Sequence, residues 1–116
     1  MNKFIPPNTV YICGPITGLA NENRQAFADV QQKLQELNVE CVNPHDLFND
    51  LDTSAFTHDD FMRVCISALS FCDKVVTLPG WENSKGALIE VQVARIMGKE
   101  VHFSESFIKS LENAAA

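Results

Sequence analysis

The sequence predicts an α/β protein: a single domain on a parallel, Rossmann-like or flavodoxin-like sheet of about four to five strands with helices on both faces. Two observations carry this. Short apolar runs rich in β-branched residues alternate with longer segments whose apolar residues recur at helical spacing. The runs at Thr9 to Cys13 and Lys74 to Leu78 are too apolar for a sheet with one wet face, so helices must cover both sides through right-handed crossovers.

Thr9 to Cys13 (TVYIC) is the first strand, closed by the loop Gly14-Pro15-Ile16-Thr17-Gly18. From about Asn23 to Asn38, apolar residues at Phe27, Val30, Leu34 and Leu37 predict a helix that Asn38 stops. Val39 to Val42 is a second short strand. Asn43-Pro44 opens a polar stretch to about Ser54, which fits either a functional loop or a helical turn around Asp46 to Leu51. Thr57-His58-Asp59-Asp60 matches the Ser/Thr-x-x-Asp/Glu capping pattern, and Phe61, Val64, Cys65, Ala68, Leu69 and Cys72 mark one face of the helix it starts. Lys74 to Leu78 is the third strand, turned by Pro79-Gly80. Trp81-Glu82-Asn83 then leads to Ser84, the N-cap of a helix running to Gly98. Val101 to Phe103 is the fourth strand and Ser104 starts a closing helix, whose tail from about Glu112 is expected to fray. One domain spans residues 1–116, with its core at about 9–103.

The 116 residues, 46% hydrophobic and 21% charged, suit a domain that folds without disulfides or a structural metal. Fifteen acidic against nine basic residues give a formal charge of −6, and no basic run exists. Nucleic-acid polymers and anionic membranes are therefore excluded as expected partners, although a helix N-terminus can still hold one small phosphate. Cys13, Cys41, Cys65 and Cys72 form no CxxC pair and have no histidine at metal-ligand spacing. They read as reduced thiols, with no metal and no cofactor. Met1 to Pro7 is too short and too broken by proline for a secretory signal, and no apolar run approaches the ~18 residues of a spanning helix. The expected location is the cytoplasm.

In such sheets ligands bind beyond the carboxyl ends of the strands, which places the site between Gly14–Gly18 and Pro79–Gly86. Neither loop is a G-x-G-x-x-G or G-x-x-x-x-G-K-S/T phosphate motif. Around the helix from Ser84, Lys85, Gln92 and Arg95 share one side, while Ala87, Ile89, Val93, Ala94, Ile96 and Met97 fill the other. Glu90 falls in the middle of the apolar side. A carboxylate there is costly unless paired or neutralised, so Glu90 is a candidate functional residue; a structural glutamate satisfied by a neighbouring backbone or subunit fits the spacing as well.

Gly86, one turn earlier, either leaves room for a ligand or lets the helix pack on the sheet. Ser84 is a plain N-cap, or with the first-turn N–H groups it takes a phosphate or sugar hydroxyl. Tyr11 is either a core aromatic or the hydroxyl that orients a carboxylate on a neighbouring element, and Trp81 either walls a base pocket or covers its turn. His45, His58 and His102 share no metal or triad spacing and read as polar surface or capping residues. Asp59 and Asp60 serve a helix N-terminus, and Asp73 a turn.

The ordered set Tyr11-Ile12-Cys13-Gly14-Pro15-Ile16-Thr17-Gly18, Val42-Asn43-Pro44, Cys72-Asp73, and Leu78-Pro79-Gly80-Trp81-Glu82-Asn83-Ser84-Lys85-Gly86-Ala87 leading to Glu90 resembles the nucleoside 2-deoxyribosyltransferase superfamily, in particular its small bacterial and phage-type members. The resemblance covers about residues 9 to 103. It implies a Rossmann-like sheet, a homodimer or higher oligomer whose neighbour helps close the site, and cleavage or transfer at the N-glycosidic bond of a 2-deoxynucleoside or its 5′-monophosphate. On the family pattern Glu90 is the nucleophile and Tyr11 its hydrogen-bond partner. Ser84 and Gly86 match the loop for the sugar 5′ end or its phosphate, and Gly14, Pro15, Ile16, Thr17 and Gly18 the loop beside the sugar. Asn43 and Trp81 join the substrate-binding set.

One position departs from the pattern. Characterised members carry an aspartate eight residues before the one that Asp73 matches, and Cys65 stands there instead. A thiol does not do a carboxylate's work at neutral pH, so a nucleotide-binding module with little or no turnover is the alternative expectation. A purely structural α/β subunit would leave Glu90 and the Gly-Pro loop unexplained.

Overall fold

A computed structural model describes residues 5–115. The expectation about the first four residues of the N-terminal segment lies outside them. Its centre is β1 (Val10–Cys13), buried along its whole length. With β2 (Cys41–Val42), β3 (Lys74–Thr77) and β4 (Glu100–Phe103) it forms a four-stranded, all-parallel sheet in the order β2-β1-β3-β4. Tyr11 lies in register with Val42 on one side and Val75 on the other. This is the Rossmann-like α/β class the alternating pattern predicts.

The two-residue period of β1 sorts its side chains between two cores. Val10 and Ile12 join Val76 and Leu78 beneath Phe27 and Leu34 of α1 (Arg24–Glu36) and Ile108 of α4 (Ser104–Ala115). Tyr11 and Cys13 point the other way, with Val75, into a core closed by Cys65 and Leu69 of α2 (His58–Ser70) and by Ala87, Val91 and Ala94 of α3 (Lys85–Ile96).

The helix ends follow local chemistry. At the start of α2 the Thr57 N–H donates to Asp60 Oδ2 at 2.9 Å and the Asp60 N–H to Thr57 Oγ1 at 3.2 Å, the reciprocal capping box expected from the sequence. Ser84 Oγ accepts from the Ala87 N–H at 3.3 Å and caps α3. Past the end of α1, Asn38 takes φ +61°, a left-handed conformation asparagine tolerates. The polar stretch after β2 resolves into a 3₁₀ turn at Pro44–Phe48, slightly earlier than Asp46 to Leu51. α4 stays helical to Ala115, beyond Glu112, where fraying was expected; Ala114 and Ala115 have the highest helix propensity available.

One expectation about α3 is corrected. Glu90 is on the buried face, but Ile89, Ile96 and Met97 are not: they are 43%, 86% and 49% exposed, and the buried stripe is Ala87, Glu90, Val91 and Ala94. α3 is apolar around most of its girth, so hydrophobicity alone does not fix its rotation. The small Ala87 and Ala94 allow the closest approach to the sheet and leave the larger side chains outside. Among the described residues no helix is long and apolar enough to cross a membrane.

Candidate active site

The site is assembled where β1 and β3 end. After β3, Leu78-Pro79 and Gly80 (φ +87°) lead into a 3₁₀ turn at Trp81–Asn83, which delivers α3 back over β1. Glu90, in the second turn of α3, thereby meets the upward side chains of β1. The Tyr11 hydroxyl donates to Glu90 Oε2 at 2.6 Å, and the Cys13 thiol donates toward Oε1 at 3.4 Å. Glu90 is only 6% exposed.

Electrostatics follow from that burial. Desolvation raises the Glu90 carboxyl above the ordinary carboxylate range, while the bonds from Tyr11 and Cys13 pull it back down. The Tyr11 hydroxyl is pushed well above its ordinary value, first by burial and then by the charge of Glu90, and the Cys13 thiol rises for the same reasons. Cys65 is pushed up to about 11, again by burial and then Glu90. Near neutral pH Tyr11, Cys13 and Cys65 therefore keep their protons, and Tyr11 and Cys13 act as donors to a single carboxyl group.

Above Glu90 opens a cleft of about 470 Å³, within the range of small-molecule sites. Tyr11 and Glu90 lie at its floor, with Gly14, Ile16 and Thr17 along one side and Ser84, Gly86 and Ala87 along another. α2 contributes His58, Phe61, Met62 and Cys65, the turn before α1 and its first residue contribute Glu22 and Arg24, and the segment after β2 contributes His45 and Phe48. A Cβ on Gly14 would sit 2.7 Å from Leu78 Cδ1 and 2.8 Å from Leu78 Cβ, so the loop's approach to β3 requires glycine. A Cβ on Gly86 would come within 3.2 Å of Met62 Sδ, at the cleft wall.

The family model described as "Domain of unknown function (DUF4406)" matches residues 8–103. The chain belongs to the DUF4406 family. No curated protein sequence matches it. Solved structures match this DUF4406 chain in fold. The 2-deoxyribosyltransferase of Bacillus psychrosaccharolyticus gives a TM-score of 0.63 at 15% identity, covering 80% of this chain and 69% of that one. The CMP N-glycosidase of Clostridium botulinum gives 0.53 at 22%, covering 80% and 65%. The DUF4406 chain thus has the nucleoside 2-deoxyribosyltransferase-like fold and spans about two-thirds of the length of either protein.

Of the residues singled out in the sequence, Tyr11, Gly14, Ile16, Thr17, Cys65, Ser84, Gly86 and Glu90 meet at the cleft of this DUF4406 chain. Four others stand outside its lining. The Pro15 carbonyl accepts from Asn23 Nδ2 at 2.9 Å, and Gly18 turns its loop at φ +83°. Asn43 is buried with its amide committed, donating to Gln31 Oε1 at 3.1 Å and accepting from the His45 N–H at 3.0 Å. Trp81 packs against the core beneath α3, and its Nε1 is buried without a hydrogen-bond partner among the described residues.

Several lining residues escaped the sequence reading. His58 and Met62 join Phe61 and Cys65 at i, i+3, i+4, i+7 spacing on α2; the sequence stripe held Phe61 and Cys65 but read as one core face, and nothing in its composition separated a cleft wall from a core. His45 lies edge-on to Phe27 at 4.9 Å, with Nε2 3.0 Å from the Glu22 carbonyl oxygen; burial and Arg24 lower its pKa. Asn21, Glu22 and Asn23 take consecutive positive φ values of 48°, 55° and 59°, and that left-handed turn brings Glu22 and Arg24 to the cleft without any periodic signal.

Proposed function

We propose that this protein cleaves or transfers at the N-glycosidic bond of a 2-deoxynucleoside or its 5′-monophosphate, with Glu90 as nucleophile. The observation that carries this is the buried Glu90 carboxyl at a cleft floor, with Tyr11 on one oxygen and Cys13 on the other. Such a placement is expensive for a structural role, since a hydrogen-bonded amide would serve there without a charge. The names of the two fold relatives, a 2-deoxyribosyltransferase and a CMP N-glycosidase, point to the same chemistry.

A Glu90 oxygen attacks the anomeric carbon as the carbon–nitrogen bond breaks, and the departing electron pair stays on the base nitrogen, which takes up a proton. The glycosyl ester then passes its sugar to a second base or to water, which regenerates the carboxylate. This is the logic of a retaining glycosidase. Tyr11 keeps the carboxylate oriented and remains bonded to the ester carbonyl. The capped N-terminus of α3, with Ser84 and the open space over Gly86, suits the sugar 5′ end or its phosphate. Gly14, Ile16 and Thr17 flank the sugar. We further read the protein as a cytoplasmic homodimer or higher oligomer; the outward Ile89 and Ile96 of α3 and Met97 just after it support an interface there.

A second reading, a nucleotide-binding module with little turnover, is favoured by Cys65, a thiol facing Glu90 where the resembled family has an aspartate. The nearest acids on α2 do not replace it easily, because the Asp60 carboxylate is committed to the Thr57 N–H. Incubation with a panel of 2′-deoxynucleosides and their 5′-monophosphates, with and without an acceptor base, separates the two by chromatography. Free base that disappears in Glu90→Gln establishes glycosyl transfer. Nucleotide binding by calorimetry with no base released establishes the binding module.

A further inference from the structure

Cys13 has no part in the chemistry above, yet its position is specific. Residues two apart on a parallel strand project from the same face about 6.6 Å apart, so Tyr11 and Cys13 straddle whatever α3 sets over β1. What α3 sets there is Glu90, with Oε2 2.6 Å from the Tyr11 hydroxyl and Oε1 3.4 Å from the Cys13 sulfur. Cys13 is fully buried. The other acceptor within reach of its thiol among the described residues is the Ala87 carbonyl at 3.6 Å, one turn earlier on the same helix. Both acceptors belong to α3, and the carboxylate is the closer and the more strongly charged.

We propose that Cys13 is a positioning residue for Glu90: its thiol holds Oε1 while Tyr11 holds Oε2, so one strand fixes the plane of the carboxylate through two unequal donors. The kinetic meaning of this clamp rests on the reading of Glu90 as nucleophile, but the clamp itself does not. A thiol is a weak donor. It orients the oxygen without draining its charge as a second hydroxyl would, and a carboxylate kept in place yet under-stabilised is the better nucleophile. The titratable groups around Glu90 are Tyr11 and Cys13 from β1 and Cys65 from α2. Glu22, Arg24, His45 and His58 line the same cleft.

The test is the titration of Glu90 itself, read by carbon NMR of protein labelled at the glutamate carboxyl, with Glu90→Gln identifying the signal. Removing the donor in Cys13→Ala raises the midpoint by ~0.5–1 pH unit, and the stronger hydroxyl donor of Cys13→Ser lowers it by a similar amount. The order Ser below Cys below Ala is the expected result; midpoints that coincide in folded variants overturn the proposal. Where base release is measurable, Cys13→Ala lowers kcat on the order of tenfold with KM little changed, and the acid limb of the pH profile moves in the same order. Absence of base release from every form defeats the proposed function and leaves the titration to decide the clamp. If neither variant folds, the wild-type S–H infrared band decides: one S–H band must shift as Glu90 titrates, and bands insensitive to that titration reject the contact.

Discussion

Tyr11 and Glu90 stand 79 residues apart in the sequence and are joined by a 2.6 Å hydrogen bond in the core. Among the described residues the phenol is the only strong donor to the carboxyl, because the other oxygen has a thiol. Removing it in Tyr11→Phe leaves a buried oxygen unsatisfied and costs about 1–3 kcal/mol of stability by urea denaturation. On the proposed function, base release falls by ~10²-fold or more and its acid limb moves to higher pH. Unchanged stability in the phenylalanine variant would show that the bond is not made in solution.

Burial of Glu90 also gives stability a pH signature. Its folded-state carboxyl is raised above the ordinary 4.5, so the unfolded chain releases this proton first as pH rises. The group therefore contributes stability that is present below about pH 4.5 and is lost as pH climbs through the raised folded value. Glu90→Gln lacks this loss. Urea melts across pH 4 to 8 should show the variant gaining on the wild type as pH rises, then holding a constant advantage above the folded titration. A difference independent of pH would mean that the folded carboxyl is unshifted.

The Gly14 position has no room for a side chain, since its nearest neighbours include Leu78 Cβ, which cannot swing away as a side-chain tip can. Gly14→Ala should destabilise by about 1–3 kcal/mol through overpacking. Leu78→Ala, destabilising alone, should couple favourably with it in a double-mutant cycle, because it removes the Cδ1 and Cγ contacts. Strict additivity would place the strain elsewhere.

Cys65 offers a direct test of leaving-group protonation. It lines the cleft beside Glu90, whose charge would raise the pKa of a carboxyl group placed there, as a general acid requires. Cys65→Asp should raise base release by ~10²–10⁴, the usual worth of acid–base assistance, if leaving-group protonation is what this site lacks. No gain in rate, with nucleotide binding intact, assigns proton delivery to solvent or to another lining group.

Much of the fold was legible because it is local. Thr57 and Asp60 close a capping box whose two partners are three residues apart, and Asn38 ends α1 by its own tolerance of positive φ. Glu90 was legible for a related reason: a charge on an apolar helix face violates the pattern around it. What the pattern could not supply was rotation and reach. Ile96 reads as core by composition and stands in solvent because two alanines, not the bulkiest residues, define the sheet side of α3. Asn43 stands beside the 3₁₀ turn that brings His45 to the cleft, yet its own amide is used in holding that turn. The left-handed turn at Asn21 to Asn23 has no periodicity to detect.

The strand order β2-β1-β3-β4 also sets a timetable for synthesis. β1 is made first but is a central strand, and only β2 can join it early; its other neighbour is not complete until Thr77. Closing that pair encloses most of the intervening chain, the slow kind of contact in folding. Glu90 comes later still. A nascent chain emerging from the ribosome therefore carries Tyr11 and Cys13 on a strand that still lacks α3, and the cleft floor gains its carboxyl only when α3 has been translated and docked.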